Sequence, residues 1–273
     1  MPVVFALPFI VVAVVLGMAA TVAFLVFNQL RFNAWCRAHG LPGIPLRELP
    51  RVHFVEFWAI MRVLWWQLRA PLANPGPRPA GQAVLFVHGY TQNSTNFWSL
   101  QHAFSKRPTR RVFLGFAWPW RRVAGYGQPL ERALERTRES VDIVAHSMGG
   151  LVLRDVLTRR PDLRPKVRGV VTLGTPHHGT AVARWLTWMH PTKELSYQSD
   201  WIERLPTLAQ LLPGDDRPML TIGGTADMIV YPVESTAQPD VPHLVLRGIG
   251  HAGLLTHDDA IFATVDCLGP TAA

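Results

Sequence analysis

The sequence is poor in the residue types that build metal and redox centres. Only two cysteines occur in 273 residues, Cys36 and Cys267. No CxxC pair and no Cys/His spacing suggests a metal site, so neither a metal nor a cofactor is expected. Two cysteines do not decide the redox compartment, and nothing supports a bridge between them. Lysine is scarce; the formal net charge of +8 rests almost wholly on arginine. An arginine-rich surface suits anionic lipid head groups, or is simply solvated. No long basic run, zinc-ligand set or RNA-binding signature is present, which argues against a nucleic-acid partner. No internal repeat is visible. The length suffices for one sizeable core plus an anchor, not for two large domains.

Charge is absent from Pro2 to Phe27. The run VVFALPFIVVAVVLGMAATVAFLVF is long enough to cross a bilayer core as a helix. A cleavable signal peptide would need a basic n-region, and here the apolar run continues past the small residues Gly17 and Ala19. The expectation is an uncleaved transmembrane anchor over residues 1–30. Arg31, Arg37, Arg47 and Arg51 follow it and nothing basic precedes it. With one span, the positive-inside rule puts the rest of the chain in the cytoplasm. Residues 52–68 (VHFVEFWAIMRVLWWQL) form a second apolar stretch interrupted by Glu56 and Arg62. Arg51, Arg62 and Arg69 share one helical stripe, which fits a helix lying in the membrane interface, or equally one packed on the following domain. A second crossing would bury Glu56 and Arg62 at several kcal/mol and would reverse the sidedness. Residues 31–81 thus read as an amphipathic neck ending in the Pro/Gly-rich linker PLANPGPRPAG, with a domain boundary there.

From residue 82 onward, short apolar runs alternate with helical stretches. AVLFV (83–87), RVFLGFA (111–117), VDIVA (141–145), VRGVVTL (167–173), 219–222 and 243–246 read as strands. Helices are expected over 97–106, 129–139, 148–160 and 253–267. Strands buried on both faces and separated by helices predict a mostly parallel sheet covered by helices on both faces, an α/β class.

The third strand runs into Ala145-His146-Ser147-Met148-Gly149-Gly150. A strand, a tight turn of small residues and a helix make a nucleophile elbow, which exposes Ser147 Oγ at an electropositive helix end. Ala145 stands where the general pattern has Gly and is small enough to keep the turn. After the first strand, His88-Gly89-Tyr90 forms a loop that can approach the serine. His88 and Gly89 would support it, and the backbone N–H groups of Tyr90 and Met148 would receive an oxyanion. A base and an acid should follow in the order Ser, Asp/Glu, His. His251, among glycines in GIGHAG, follows the last strand and can take the serine proton. His243 starts that strand, at the other sheet edge, and His257 is expected inside the last helix. Asp227 follows the fifth strand and would hold His251 in its working tautomer. Asp142, Asp215 and Asp216 fall at the wrong edge, and Asp240 sits in a Pro-flanked turn.

Together AHSMGG, HGY, Leu173-Gly174-Thr175-Pro176-His177-His178-Gly179, the Asp227 loop and GIGH resemble bacterial triacylglycerol lipases and esterases of the α/β-hydrolase superfamily. The resemblance covers about residues 82–268. It implies an α/β-hydrolase fold, carboxylic ester hydrolysis without a cofactor, and lipid or small acyl-ester substrates. Its combination with the anchor implies a single-pass protein of a bacterial inner membrane. His177 and His178 lack the spaced carboxylates that a metal site would add. Residues 180–213, which hold Trp185, Trp188, Met189, Tyr197 and Trp201, occupy the place of a lid in such enzymes, and read equally well as helices packed on the core. An acyltransferase using the same triad, a peptidase or thioesterase, and a non-catalytic membrane adaptor on the same fold are the rival readings.

Overall fold

The computed structural model describes residues 2–69, 83–90, 92, 94–105, 109–112, 114, 120–185, 190–214 and 216–269. Residues 71–81 of the predicted linker are not among them, so the expected domain boundary lies outside the described residues, as do residues 113 and 115–117 of the second predicted strand.

Six strands form one parallel sheet: β1 (Val84–Val87), β2 (Thr109–Val112), β3 (Val141–His146), β4 (Val167–Leu173), β5 (Met219–Gly224) and β6 (His243–Leu246), in the order β2-β1-β3-β4-β5-β6. The strands are apolar on both faces because both faces are covered. Val84 and Phe86 of β1 and Val144 of β3 point to one face, where they meet Phe97, Leu100, Leu254 and Leu268. Leu85, Val87, Ile143 and Ala145 point to the other, where they meet Leu130, Leu151 and Val156. Helices α3 (Trp98–Ala103) and α9 (Asp258–Leu268) supply the first face; α4 (Gln128–Glu135) and α5 (Met148–Arg159) supply the second. Each fully buried aliphatic side chain contributes roughly 1.5–3 kcal/mol by leaving water. The parallel sheet with helices on both faces is the predicted class.

Several element bounds differ from expectation: β2 begins at Thr109 and not at 111, α3 ends at Ala103, and β5 runs on to Gly224. α4 stops at Glu135 because the Thr137 hydroxyl and N–H both turn back onto the Leu134 carbonyl, at 2.7 and 3.1 Å. The last helix begins at Asp258, after a separate 3₁₀ turn over Gly253–Leu255. His257 is therefore the N-cap of α9, its Nδ1 accepting from the Asp259 N–H at 3.3 Å, and not an interior helix residue.

The N-terminal region is a pair of helices. α1 spans Pro2–Ala38, 37 residues, which is about 55 Å at 1.5 Å per residue. Over Val15–Ala38 it is long and apolar enough to cross a membrane. One stripe near its end, Leu25, Phe32 and Cys36, is buried against Ala226, Met228 and Tyr231 of the sheet domain. α2 (Leu49–Arg69) is two-faced. Val52, Glu56, Ala59 and Val63, at spacings of 4, 3 and 4, are buried. Phe54, Trp58 and Trp65 are more than half exposed on the other side, with Arg51 and Arg62 exposed beside them. α2 thus packs on the sheet domain, one of the arrangements expected for it. Cys36 and Cys267 are free thiols.

The segment after β4 holds a 3₁₀ turn (Ala181–Trp185) and three short helices, α6 (His190–Leu195), α7 (Asp200–Glu203) and α8 (Leu208–Leu211). Trp188, Met189 and the side chain of Trp185 lie outside the described residues. Tyr197 is at the surface, whereas Trp201 is partly buried against the main core, which Ile202, Leu208 and Leu211 join. The buried guanidinium of Arg154 on α5 ties this segment down, donating to the carbonyls of Leu205, Pro206 and His177 at 2.7, 3.1 and 2.8 Å.

Candidate active site

The strand register brings the site together. Val87 pairs with Ala145, and His146 with Leu173, so the chain leaves β1, β3 and β4 at one level of one sheet edge. Ser147 sits in the turn between β3 and α5 at φ 55° and ψ −132°, outside the usual range of an L-residue. A conformation of this kind costs of order 1–3 kcal/mol and persists where surrounding contacts enforce it. Here the Ser147 N–H donates to the Leu173 carbonyl at 2.9 Å and its carbonyl accepts from Gly150 at 3.2 Å. Gly89 lies directly against it: a Cβ at residue 89 would come within 2.6 Å of the Ser147 Cβ. Only glycine lets the loop after β1 run this close to the serine.

Asp227 and His251 meet from the loops after β5 and β6. Asp227 is 1% exposed, and its Oδ2 lies 2.7 Å from His251 Nδ1. Its Oδ1 accepts from the N–H groups of Ile229 and Val230 at 2.8 and 2.7 Å, so the carboxylate is fixed at both oxygens. Burial alone would lower the basicity of His251. The charge and hydrogen bond of Asp227, together with the charge of Glu56, outweigh it, and the imidazole is held above its ordinary value. The His251 ring is beside Gly174, which follows the strand end that holds Ser147. A carboxylate bonded to Nδ1 leaves Nε2 to exchange a proton.

The expected oxyanion residues occupy the same edge. Met148 is buried at the first position of α5, and half-buried Tyr90 follows Gly89. His88 is buried. Its Nε2 accepts from the Leu114 N–H at 3.0 Å, which leaves Nδ1 to donate to the Gly89 carbonyl at 2.8 Å. Burial keeps it neutral. The alternatives fall elsewhere: Asp142 binds Arg168 at the opposite edge, His243 bonds Thr221 at the start of β6, and Asp216 and Asp240 are exposed. His177 is buried against Thr172 while His178 faces Glu203 at the surface.

Three neighbours escaped the sequence reading. His146 stacks on His251 with centroids 4.5 Å apart, and its ring nitrogens lie 2.9 Å from Gln92 Oε1 and 3.1 Å from the His251 carbonyl. Burial first, then the neighbouring His251, holds it well below its ordinary basicity. Neutral His146 has one ring proton, and with Nε2 donating it to the His251 carbonyl Nδ1 has none to give Gln92 Oε1, which accepts instead from the Gly89 N–H at 3.3 Å. Glu56 of α2 accepts from the N–H groups of Ala252 and Gly253 at 2.7 and 2.9 Å. A histidine and a glutamine near a serine carry no sequence signal of their own. The charge of Glu56 on an otherwise apolar helix face did carry one.

A parallel sheet with a strand–serine–helix turn and a carboxylate–imidazole pair at its carboxyl edge defines the α/β-hydrolase fold of lipases and esterases. Within that class, a model described as "Domain of unknown function (DUF7379)" matches residues 61–244, and the chain belongs to that family. The lysosomal thioesterase PPT2 of Mus musculus is 25% identical over 162 residues, covering 56% of this chain and 51% of its own length. The Bos taurus protein of that name is 26% identical over 161 residues, covering 55% and 51%. The chain therefore spans about half the length of these relatives. Aspergillus fumigatus lipase B matches in structure at a TM-score of 0.60 and 18% identity, over 73% of this chain and 56% of that one. Mature Bacillus licheniformis lipase BlEst2 matches at 0.54 and 15%, over 71% and 95%. These identities speak for the fold.

Proposed function

We propose that this chain is a membrane-anchored serine hydrolase that cleaves carboxylic esters through an acyl-enzyme. The observation that carries the reading is a serine held at positive φ at the mouth of a helix, on the same sheet edge as an Asp-bonded histidine. In this reading Ser147 Oγ attacks the acyl carbon while His251 Nε2 takes its proton. The oxyanion forms facing the N–H groups of Met148 and Tyr90. His251, now imidazolium and stabilised by Asp227, returns the proton to the leaving oxygen, and water repeats the sequence to release the acid. No cofactor enters these steps. The expected substrates are lipids or small acyl esters. The thioesterase relatives favour a second substrate class, since the same steps cleave a thioester.

The anchor is α1, whose first twenty or so residues suffice for a bilayer core of about 30 Å. Its later stripe docks on the hydrolase domain, which would hold the site close to the membrane. The exposed Phe54, Trp58 and Trp65 of α2, flanked by Arg51 and Arg62, suit the interfacial layer. The arginines that follow the span favour a cytoplasmic site at a bacterial inner membrane.

Full-length chain in detergent should turn over p-nitrophenyl esters of graded acyl length, or acyl thioesters. Ser147→Ala should reduce turnover roughly 10⁴-fold or more while leaving the fold intact. Turnover that survives Ser147→Ala would remove the serine mechanism. A folded wild-type chain inactive on both series would move the reading to an acyltransferase or an adaptor.

A further inference from the structure

We propose that Glu56, supplied by the neck helix α2, is a positioning residue of the hydrolase site that seats the His251 loop and places a second negative charge beside the forming imidazolium. The inference rests on the serine-hydrolase reading above and adds to it a component from outside the lipase-like part of the chain.

The geometry is specific. Glu56 is 4% exposed, in the middle of the α2 face that packs on the sheet domain. Each carboxylate oxygen takes one backbone N–H from the turn just after His251: Oε1 from Ala252 at 2.7 Å and Oε2 from Gly253 at 2.9 Å. These are N–H groups at the start of the 3₁₀ turn over Gly253–Leu255, which lack partners within the turn. Hydrogen bonds from N–H groups to an ionised acceptor are about twice as strong as neutral ones. Gly250, on the other side of His251, makes room for the same carboxylate. A Cβ there would sit 2.5 Å from Glu56 Oε2 and 2.6 Å from its Cδ. The glycines around His251 are thus matched to a side chain almost two hundred positions earlier.

The other end of the loop is held as well, by the His146 ring at the His251 carbonyl. His251 is therefore fixed by Asp227 at its ring, by His146 at its carbonyl and by Glu56 at the two N–H groups that follow. Loss of any one lets the imidazole drift from its line to the serine, and small misplacements of reacting groups are costly in rate.

The charged groups acting on Glu56 are Asp227 and His251, and His53 stands one turn earlier on its own helix. Burial is the largest influence on Glu56 and pushes its carboxyl up to about 7, against the two N–H bonds that lower it. Its negative form in turn favours the imidazolium of His251. Glu56 carries that charge only where it is ionised, around pH 7 and above, so it titrates together with His251; removing it makes His251 less basic, and the acid limb of the pH–rate profile moves to lower pH.

The test uses the full chain in detergent and follows kcat and KM for p-nitrophenyl butyrate across pH. Glu56→Gln keeps the shape but loses the charge and presents an amide donor to one of the two N–H groups. The expected result is a kcat lower by on the order of tenfold, a KM near wild type and an acid limb displaced downward. Glu56→Asp keeps the charge but is too short to reach both N–H groups, so its kcat falls while its limb stays close to wild type. Should Glu56→Gln fold poorly, its limb is still readable, because limb position does not depend on the amount of active protein; an unmoved limb overturns the proposal. Wild-type kcat and limb in Glu56→Gln overturn it while the hydrolase reading stands. A wild-type chain without Ser147-dependent turnover overturns both.

Discussion

Single side chains in this protein are set by what surrounds them more than by their own chemistry. Among the histidines considered above, His251 gains basicity from Asp227, while His146 and His177 lose it to burial. His177 is an informative case. Burial first, and then the nearby Arg154 charge, hold it well below its ordinary value of 6.5. It is neutral when folded and free to charge when unfolded. Its contribution to stability is therefore present above pH 6.5 and lost as the pH falls below it. Replacing it with Asn should flatten that fall between pH 6 and 5. Urea midpoints of wild type and His177→Asn at those two pH values measure the difference; parallel slopes would contradict the burial argument.

At the level of elements, the structure depends on ties between distant pieces of chain. α5 carries Met148 at its start and Arg154 in its middle, and Arg154 holds the 190–212 segment by the Leu205 and Pro206 carbonyls and the turn after β4 by the His177 carbonyl. Desolvation pushes the guanidinium down only to about 10, so it stays charged. Arg154→Met leaves three buried carbonyls without this donor and should cost about 3–5 kcal/mol, read as a drop in the urea midpoint. A change under 1 kcal/mol would mean that the segment is held by its apolar contacts alone. The legible parts at this scale were the strands. VDIVA and VRGVVTL are mostly apolar because helices cover both faces of β3 and β4, and their charges, Asp142 and Arg168, pair with each other. The 180–213 segment was not legible, because an amphipathic lid and a packed helix have the same pattern. Leu208 and Leu211 join the main core where α8 meets α5, and Ile202 joins it from α7, which periodicity cannot reveal.

For the whole molecule, the proposed membrane attachment turns on the two N-terminal helices. In that proposal the first part of α1 spans the bilayer, while the stripe from Leu25 to Cys36 docks on the loop that carries Asp227. A chain lacking residues 1–22 keeps that stripe and Glu56. It is expected to retain activity on soluble p-nitrophenyl esters while losing most of its co-sedimentation with phospholipid vesicles, which the full chain should show. Full-length protein that stays in the supernatant would remove the anchoring part of the proposed function. Truncated protein that still co-sediments would assign the attachment to Phe54, Trp58 and Trp65 of α2.

The sequence by itself determined the elements whose signals are local. The sheet class follows from apolar runs, the turn at Ser147 from small residues between a strand and a helix, and the candidate acid and base from their places after β5 and β6. All of these depend on neighbours within a few residues. What only the tertiary structure decided depends on partners far apart in the chain. Glu56 read as a charge misplaced on an apolar helix face, and became a ligand for two N–H groups once α2 packed behind His251. His146 carried no sequence signal of its own, and became the support of the His251 carbonyl. A buried polar group must find a partner wherever the fold brings one, and a local pattern marks that the group is unusual without saying which partner satisfies it.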